Sequence, residues 1–385
     1  MNVVFLSPHF PPNYRHFCVR LREAGATVLG LGDVPYDQLA PDLRGALAEY
    51  YRVSDMHHYD ELVRALGHFT HRHGKIDRLD SLNEYWLETE AALRTDFNIP
   101  GIRTSEIHRI KRKSEMKRTF EKAGLAVARG EVCRTPDAAR RFLARVGYPA
   151  VAKPDVGVGA ARTYKIEREA DLERYLAGKP PVDYILEEYV SGPIVTYDGL
   201  ADREGKVVFE STMQYSMGVM EAVNEAADIW YWMPRRIPED LVEAGRALVE
   251  AFGVRERPFH FEFFRPKGRL VALEVNVRPP GGLTVDMFNY ANDIDFYREW
   301  ANVVVHGRFE ADAKHPYACA YVGRRAGRHY ALSHEEVMAR FGALVVHHER
   351  IDDVFSPAIG NHGYILRAAQ VAPLEAAASA IHERG

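Results

Sequence analysis

Apolar and polar positions recur along this chain in two rhythms, and the rhythm changes from region to region. Near the start, the apolar run Val3–Leu6 predicts a buried strand. A rigid Ser7-Pro8-His9-Phe10-Pro11-Pro12-Asn13 loop follows. From Tyr14 to Ala24, Phe17, Leu21 and Ala24 return near one helical face, and Gly25 ends the pattern. Thr27–Gly30 reads as a second strand, a helix is expected over Tyr59–His68, and a strand over Ile76–Leu82. This β-α-β alternation predicts a parallel sheet with right-handed crossovers. In such sheets ligands bind beyond the carboxyl ends of strands, which directs attention to the loops His9–Arg15 and Asn83–Trp86.

The middle of the chain turns helical. Ser105–Ala123, rich in Lys and Arg, predicts one helix ended by Gly124, with Lys113 inside it. A second helix, Pro136–Val146, closes at Gly147. Ala150–Lys153 is strand-like and leads into the small-residue loop Asp155–Ala160. Gly157 and Gly159 suit a loop whose backbone N–H groups meet phosphate, with Lys153 as a point charge beside it. Tyr184–Val190 predicts a strand that leaves through a Ser191-Gly192-Pro193 hinge. Glu187 can accept a hydrogen bond from an exocyclic amine there, and the backbone of Glu188 and Val190 can pair with a purine edge.

The densest chemistry lies at Phe259–Gly282. Two β-type runs, Phe259–Phe264 and Leu270–Val275, flank a Pro-Lys-Gly-Arg turn, a hairpin signal. Alternation puts every second side chain on one face. Glu262, Glu274 and Asn276 therefore point into one shared space, as hard oxygen ligands of the kind Mg²⁺ prefers. Arg278 continues the row and can grip an anionic oxygen by two hydrogen bonds.

Composition narrows the class. The chain has 385 residues, 46% hydrophobic and 27% charged, enough for two or three domains with a large core. A net charge of −4 with interspersed signs gives no nucleic-acid surface. Three scattered cysteines fit a reducing, cytoplasmic compartment. The N-terminus lacks the pattern of a signal peptide, and no apolar run reaches the length of a membrane span. Histidines 68, 71 and 73, and His347 with His348, fall in no zinc spacing and read as solvated.

Taken together, these residues resemble the ATP-grasp superfamily over Met1 to Arg308, and within it the bacterial carboxylate–amine ligase branch. Its ATP site is related to those of biotin carboxylase and the carbamoyl-phosphate synthase large chain. The resemblance implies an α/β and α+β fold, with a parallel pre-ATP-grasp α/β domain at 1–104. Strand-like runs at Tyr317–Gly323, Ala343–His348 and Asn361–Ala368, with helical patterns near Ser333–Phe341 and Leu374–His382, predict an α+β appendage at 311–385; the resemblance implies a lid subdomain with its linker helix at 105–190 and a large subdomain with the metal site at 191–310. It implies that Lys113 and Lys153 hold phosphates, that Gly157 and Gly159 belong to a phosphate lid, and that Glu187, Glu188 and Val190 hold adenine. It also implies that Glu262, Glu274 and Asn276 hold Mg²⁺ (Mn²⁺ being the alternative ion), and that Arg278 steadies the transferred phosphoryl group. Ile194 stands where many members carry an acidic ribose contact, with Asp198 as the nearby alternative. The implied reaction activates a carboxylate as an acyl phosphate, releases ADP, and lets an amine displace phosphate. The expected partners are a small-molecule carboxylate and amine, of amino-acid type, with no nucleic acid or membrane; a homodimer is compatible with the resemblance. Candidate substrate contacts are Asn13, Tyr14, Arg15, Glu84, Tyr85, Tyr215, Ser216, Arg278, Gly281 and Gly282. A biotin-carboxylase-like carboxylase and a non-catalytic ATP-binding regulator are the competing readings.

Overall fold

A computed structural model describes residues 1–157, 162–218 and 226–385. The first sheet is parallel, ordered β3-β2-β1-β4, from β1 (Asn2–Leu6), β2 (Thr27–Gly32), β3 (Glu49–Arg52) and β4 (Arg78–Asp80). Helix Arg15–Glu23 packs Phe17, Cys18 and Leu21 into the core, as the spacing predicts. The helix expected over Tyr59–His68 runs on to His73 and stops at Gly74. The short, half-polar β3 carries no clean alternation, so the sequence gives no sign of it. His68 and His73 are not merely solvated: both grip Glu49, at 2.5 and 2.6 Å.

The helix expected over Ser105–Ala123 is two helices, Thr104–Lys111 and Lys113–Lys122. The chain breaks at Arg112, whose backbone is extended and bridges Val156. Asp155 supplies the reason. Its carbonyl accepts the Lys113 N–H and its carboxylate accepts the Ser114 N–H, each at 2.8 Å, so it caps the second helix from a distant loop. Lys113 is therefore at the start of a helix rather than inside one.

A four-stranded antiparallel sheet follows, ordered β5-β8-β6-β7: β5 (Gly130–Val132), β6 (Ala150–Pro154), β7 (Tyr164–Ile166) and β8 (Tyr184–Glu188). Ala150, Ala152, Tyr184 and Leu186 face the helices behind it, which leaves Val151, Lys153 and Glu187 on the other face.

Among the described residues, the largest sheet has nine strands. They are β9 (Ile194–Ala201), β10 (Val207–Ser211), β11 (Gln214–Tyr215), β12 (Trp230–Met233), β13 (Arg257–Phe264), β14 (Val271–Asn276), β15 (Ala318–Arg324), β16 (Val345–Arg350) and β17 (His362–Ala368). The order is β14-β13-β9-β11-β12-β15-β17-β16, with β10 on β9. The last three strands thus extend the sheet that carries the hairpin, through β12. Phe259, Phe261 and Phe263 are buried against helix Glu239–Phe252, so the intervening His260 and Glu262 face the opposite way. Among the described residues, no helix is long and apolar enough to cross a membrane.

Candidate active site

A cavity of about 1100 Å³ is lined by residues of both the four-stranded sheet and the large one. Its floor is the β13–β14 hairpin. Glu262 and Glu274 are direct cross-strand partners, and His260 is opposite Asn276. Such pairs bring side chains within about 5 Å at Cβ. The row predicted from alternation is therefore assembled: Glu262, Glu274, Asn276 and Arg278 all line the cavity.

Lysines face them. The Lys113 ammonium is 3.1 Å from Glu274 and donates to the Gly157 carbonyl at 3.4 Å. Burial favours the neutral amine, but Glu274 outweighs it and holds the Lys113 pKa above its ordinary value. Burial likewise pushes Glu274 up, and Lys113 and Lys153 more than reverse it. Both groups are thus kept charged.

Glu187 has a different environment from the one expected of an adenine contact. Its carboxylate is clasped by Lys153 and Lys117, each at 2.8 Å. Burial alone would raise its pKa, yet the two cations hold it at about 2. Gly130 makes this possible, since a Cβ there would come within 2.9 Å of Lys117 and 3.1 Å of Glu187. Glu188 lines the cavity, but its carboxylate pairs with Arg129 at 2.6 Å and its N–H donates to the Arg129 carbonyl. Val190 lines the cavity beside it. Gly159 of the expected phosphate loop lies outside the described residues.

Asp198 does not reach the cavity. It is wholly buried, bonded to Thr196, and 2.6 Å from His260 Nδ1. The other ring nitrogen of His260 is 3.0 Å from Glu262. Burial pulls the His260 pKa down, but the two carboxylates raise it to about 9. The imidazolium thus fixes the orientation of Glu262 from beneath.

At the far end, Arg278 meets Glu84 at 3.1 Å, and Lys111 donates to the Glu84 carbonyl at 3.3 Å. Glu84, Tyr215, Ser216, Gly281 and Gly282 line the cavity, with Trp230 and Trp232 as an aromatic wall. Asn13 donates to the Gly282 carbonyl at 3.2 Å and lines an adjoining pocket that shares Gly282. The remaining substrate candidates lie elsewhere. Tyr14 is buried in the core, where its pKa is raised to about 12. Arg15 is on the surface, paired with Asp42 at 2.9 Å. Tyr85 is 56% exposed and bonds His57. Three contributors went unread in the sequence: Lys117, His260 and Lys111. Signals existed for two, since Lys117 is four residues from Lys113 on one helix and His260 is two residues before Glu262 on one strand.

The profile of the ATP-grasp domain matches residues 146–286. A 141-residue stretch is 29% identical to the carbamoyl phosphate synthase large chain of Deinococcus deserti. That match covers 34% of this chain and only 13% of the relative. Among solved structures, the L-amino acid ligase of Bacillus licheniformis is 17% identical, covers 99% of this chain and 96% of its own, and superposes with a TM-score of 0.74. The biotin carboxylase domain of the 2-oxoglutarate carboxylase of Hydrogenobacter thermophilus, in complex with MgADP, ADP and bicarbonate, is 15% identical. It covers 96% of this chain and 86% of its own, with a TM-score of 0.68. These likenesses show the fold.

Proposed function

We propose that this chain, which carries an ATP-grasp domain, is an ADP-forming ligase that joins a small carboxylate, of amino-acid type, to an amine. The observation that carries the reading is one cavity in which hard oxygen ligands face buried ammonium groups. Glu262, Glu274 and Asn276 form the first set; Lys113 and Lys153 form the second. The donor chemistry fits magnesium phosphate: three oxygen donors for a hard cation, two ammonium groups for an anion. Magnesium, when bound there, supplies positive charge that offsets the charge building on the phosphate oxygens.

The chain's own residues do the rest. Lys113, released from Glu274 as phosphate arrives, and Lys153 hold the nucleotide's phosphates. Glu187, 2.8 Å from both Lys117 and Lys153, holds the two ammonium groups in place, which is a positioning task. The hinge at Val190 receives the base. The substrate carboxylate attacks the γ-phosphorus, the bond to ADP breaks, and an acyl phosphate forms. The amine nitrogen then attacks the acyl carbon, loses a proton, and phosphate departs. Arg278, held by Glu84 and aimed along the same row, steadies the phosphoryl oxygens and then the tetrahedral oxyanion. Trp230, Trp232 and Phe264 keep water from the activated acid. Alignment of this kind is worth roughly 7–11 kcal/mol of barrier.

The test is phosphate release across a matrix of amino acids and small carboxylates with ATP and Mg²⁺. Release of ADP and phosphate that requires both an acid and an amine supports the reading. Release of AMP, or a requirement for bicarbonate in place of a second substrate, contradicts it.

A further inference from the structure

Away from the nucleotide cavity, the C-terminal part of the large sheet brings together three histidines that are widely spaced in sequence. His334 opens helix His334–Phe341, His348 is on β16, and His362 begins β17. One ring nitrogen from each lies within 4.8 Å of the others. The ring centroids are 4.8, 5.2 and 5.6 Å apart. The cause is topological. β16 and β17 are antiparallel neighbours with His348 opposite Tyr364 and His362 opposite Arg350, so the two histidines are diagonal on one face. The helix start drops His334 over them.

We infer that His334, His348 and His362 form a binding site for a divalent transition-metal ion of the Zn²⁺ class, separate from the magnesium site. Three observations support it. First, the donors are the borderline nitrogen ligands such ions favour, in the three-plus-open arrangement. Zinc–nitrogen bonds of about 2.05 Å place ligand atoms of a tetrahedral site roughly 3.3 Å apart. The cluster needs only a modest closing movement, and His348 is exposed and free to make it. Second, Nε2 of His362 is buried and has no hydrogen-bond partner. A buried polar nitrogen without a partner costs free energy, and a metal bond would relieve it. Third, Nδ1 of His334 is 2.9 Å from the Tyr364 hydroxyl, which leaves its Nε2 for a metal. A hydrogen bond on the second ring nitrogen is how metal-binding histidines are commonly oriented.

The site has a structural consequence. His348 and His362 bracket the connection between β16 and β17. Val354, Phe355, Ala358 and Ile359 of that connection line the nucleotide cavity. An ion would clip the two stems together and fasten both to helix His334–Phe341. It would thus hold this cavity wall in place.

The experiment uses the full chain, without a histidine tag, stripped by chelator and titrated with Co²⁺ and Zn²⁺ in the absence of nucleotide. One equivalent of Co²⁺ should give the intense visible bands of four-coordinate cobalt, and Zn²⁺ should displace it and raise the melting temperature. His348→Ala, an exposed substitution compatible with folding, should weaken binding by ~100-fold or more. Tyr364→Phe should weaken it by ~10-fold. Glu262→Gln should leave it unchanged. Absence of the cobalt bands in the parent chain overturns the inference. So does binding that His348→Ala spares, or binding that Glu262→Gln abolishes.

Discussion

At the scale of single residues, the candidate site is a set of charges that compensate one another before any ligand arrives. Glu274 faces Lys113 at 3.1 Å, and a hard cation with its phosphate would exchange that partner for better ones. Glu274→Gln keeps the shape and removes the charge. Turnover should fall on the order of 100-fold or more while the circular dichroism spectrum and melting temperature stay near those of the parent. A fully active Glu274→Gln would remove Glu274 from the metal set. Glu187 gives a pH prediction. Its folded pKa of about 2 is below the ordinary 4.5, so the ionised form stabilises the fold. That contribution, on the order of 3 kcal/mol, is present above pH 4.5 and fades as pH falls towards 2. Chemical denaturation should therefore show Glu187→Gln clearly less stable than the parent at pH 6, with the gap narrowing at pH 3. A gap that widened in acid would mean the two lysines do not hold the carboxylate ionised. The row Glu262, Glu274, Asn276 and Arg278 was legible because a strand's period of two fixes which side chains share a face. The surroundings of Glu187 and Asp198 were not legible: their partners Lys117, Lys153 and His260 come from other elements.

At the scale of elements, helices and strands with clean periodicity stood out from the sequence, and departures trace to tertiary contacts. The break at Arg112 follows from Asp155 capping a helix 41 residues away. Nothing local marks it, because Lys and Arg are good helix formers on both sides. A second long-range device joins the first sheet to the hairpin. Arg257, at the start of β13, pairs with Asp80 at 2.5 Å and Glu90 at 2.8 Å, and donates to the Val277 carbonyl at 2.6 Å. Arg94 completes the cluster from the other side. All four charged groups are buried, so removing one strands the others without water. Arg257→Ala should cost about 3–5 kcal/mol of unfolding free energy, read from denaturant midpoints. It should also lower activity, because Val277 precedes Arg278. A loss below about 1 kcal/mol would show that the cluster is open to solvent. The apolar alternation of β13 was plain, but nothing in the sequence around Arg257 marks Asp80 and Glu90 as its partners.

At the scale of the whole molecule, three sheets of the described residues contribute to the lining of this cavity, and each brings side chains that the others lack. The parallel sheet offers Glu84 beyond the carboxyl end of β4, as open α/β sheets do. The four-stranded sheet offers Lys153 and the hinge. The large sheet offers Glu262, Glu274 and Asn276, and the connection between its strands β16 and β17 lines the cavity as well. The parallel opening and the hairpin were readable in advance. The continuity of the last strands with the large sheet was not, since strand order is a long-range property that no short segment encodes. The most direct test of the central claim is mass spectrometry of the products when the chain is incubated with ATP, Mg²⁺, and paired amino acids or small carboxylates. The account predicts ADP, phosphate, and a product lighter than acid plus amine by one water, formed only when both are present. AMP and pyrophosphate in place of ADP, or phosphate release that never depends on an amine, would contradict it.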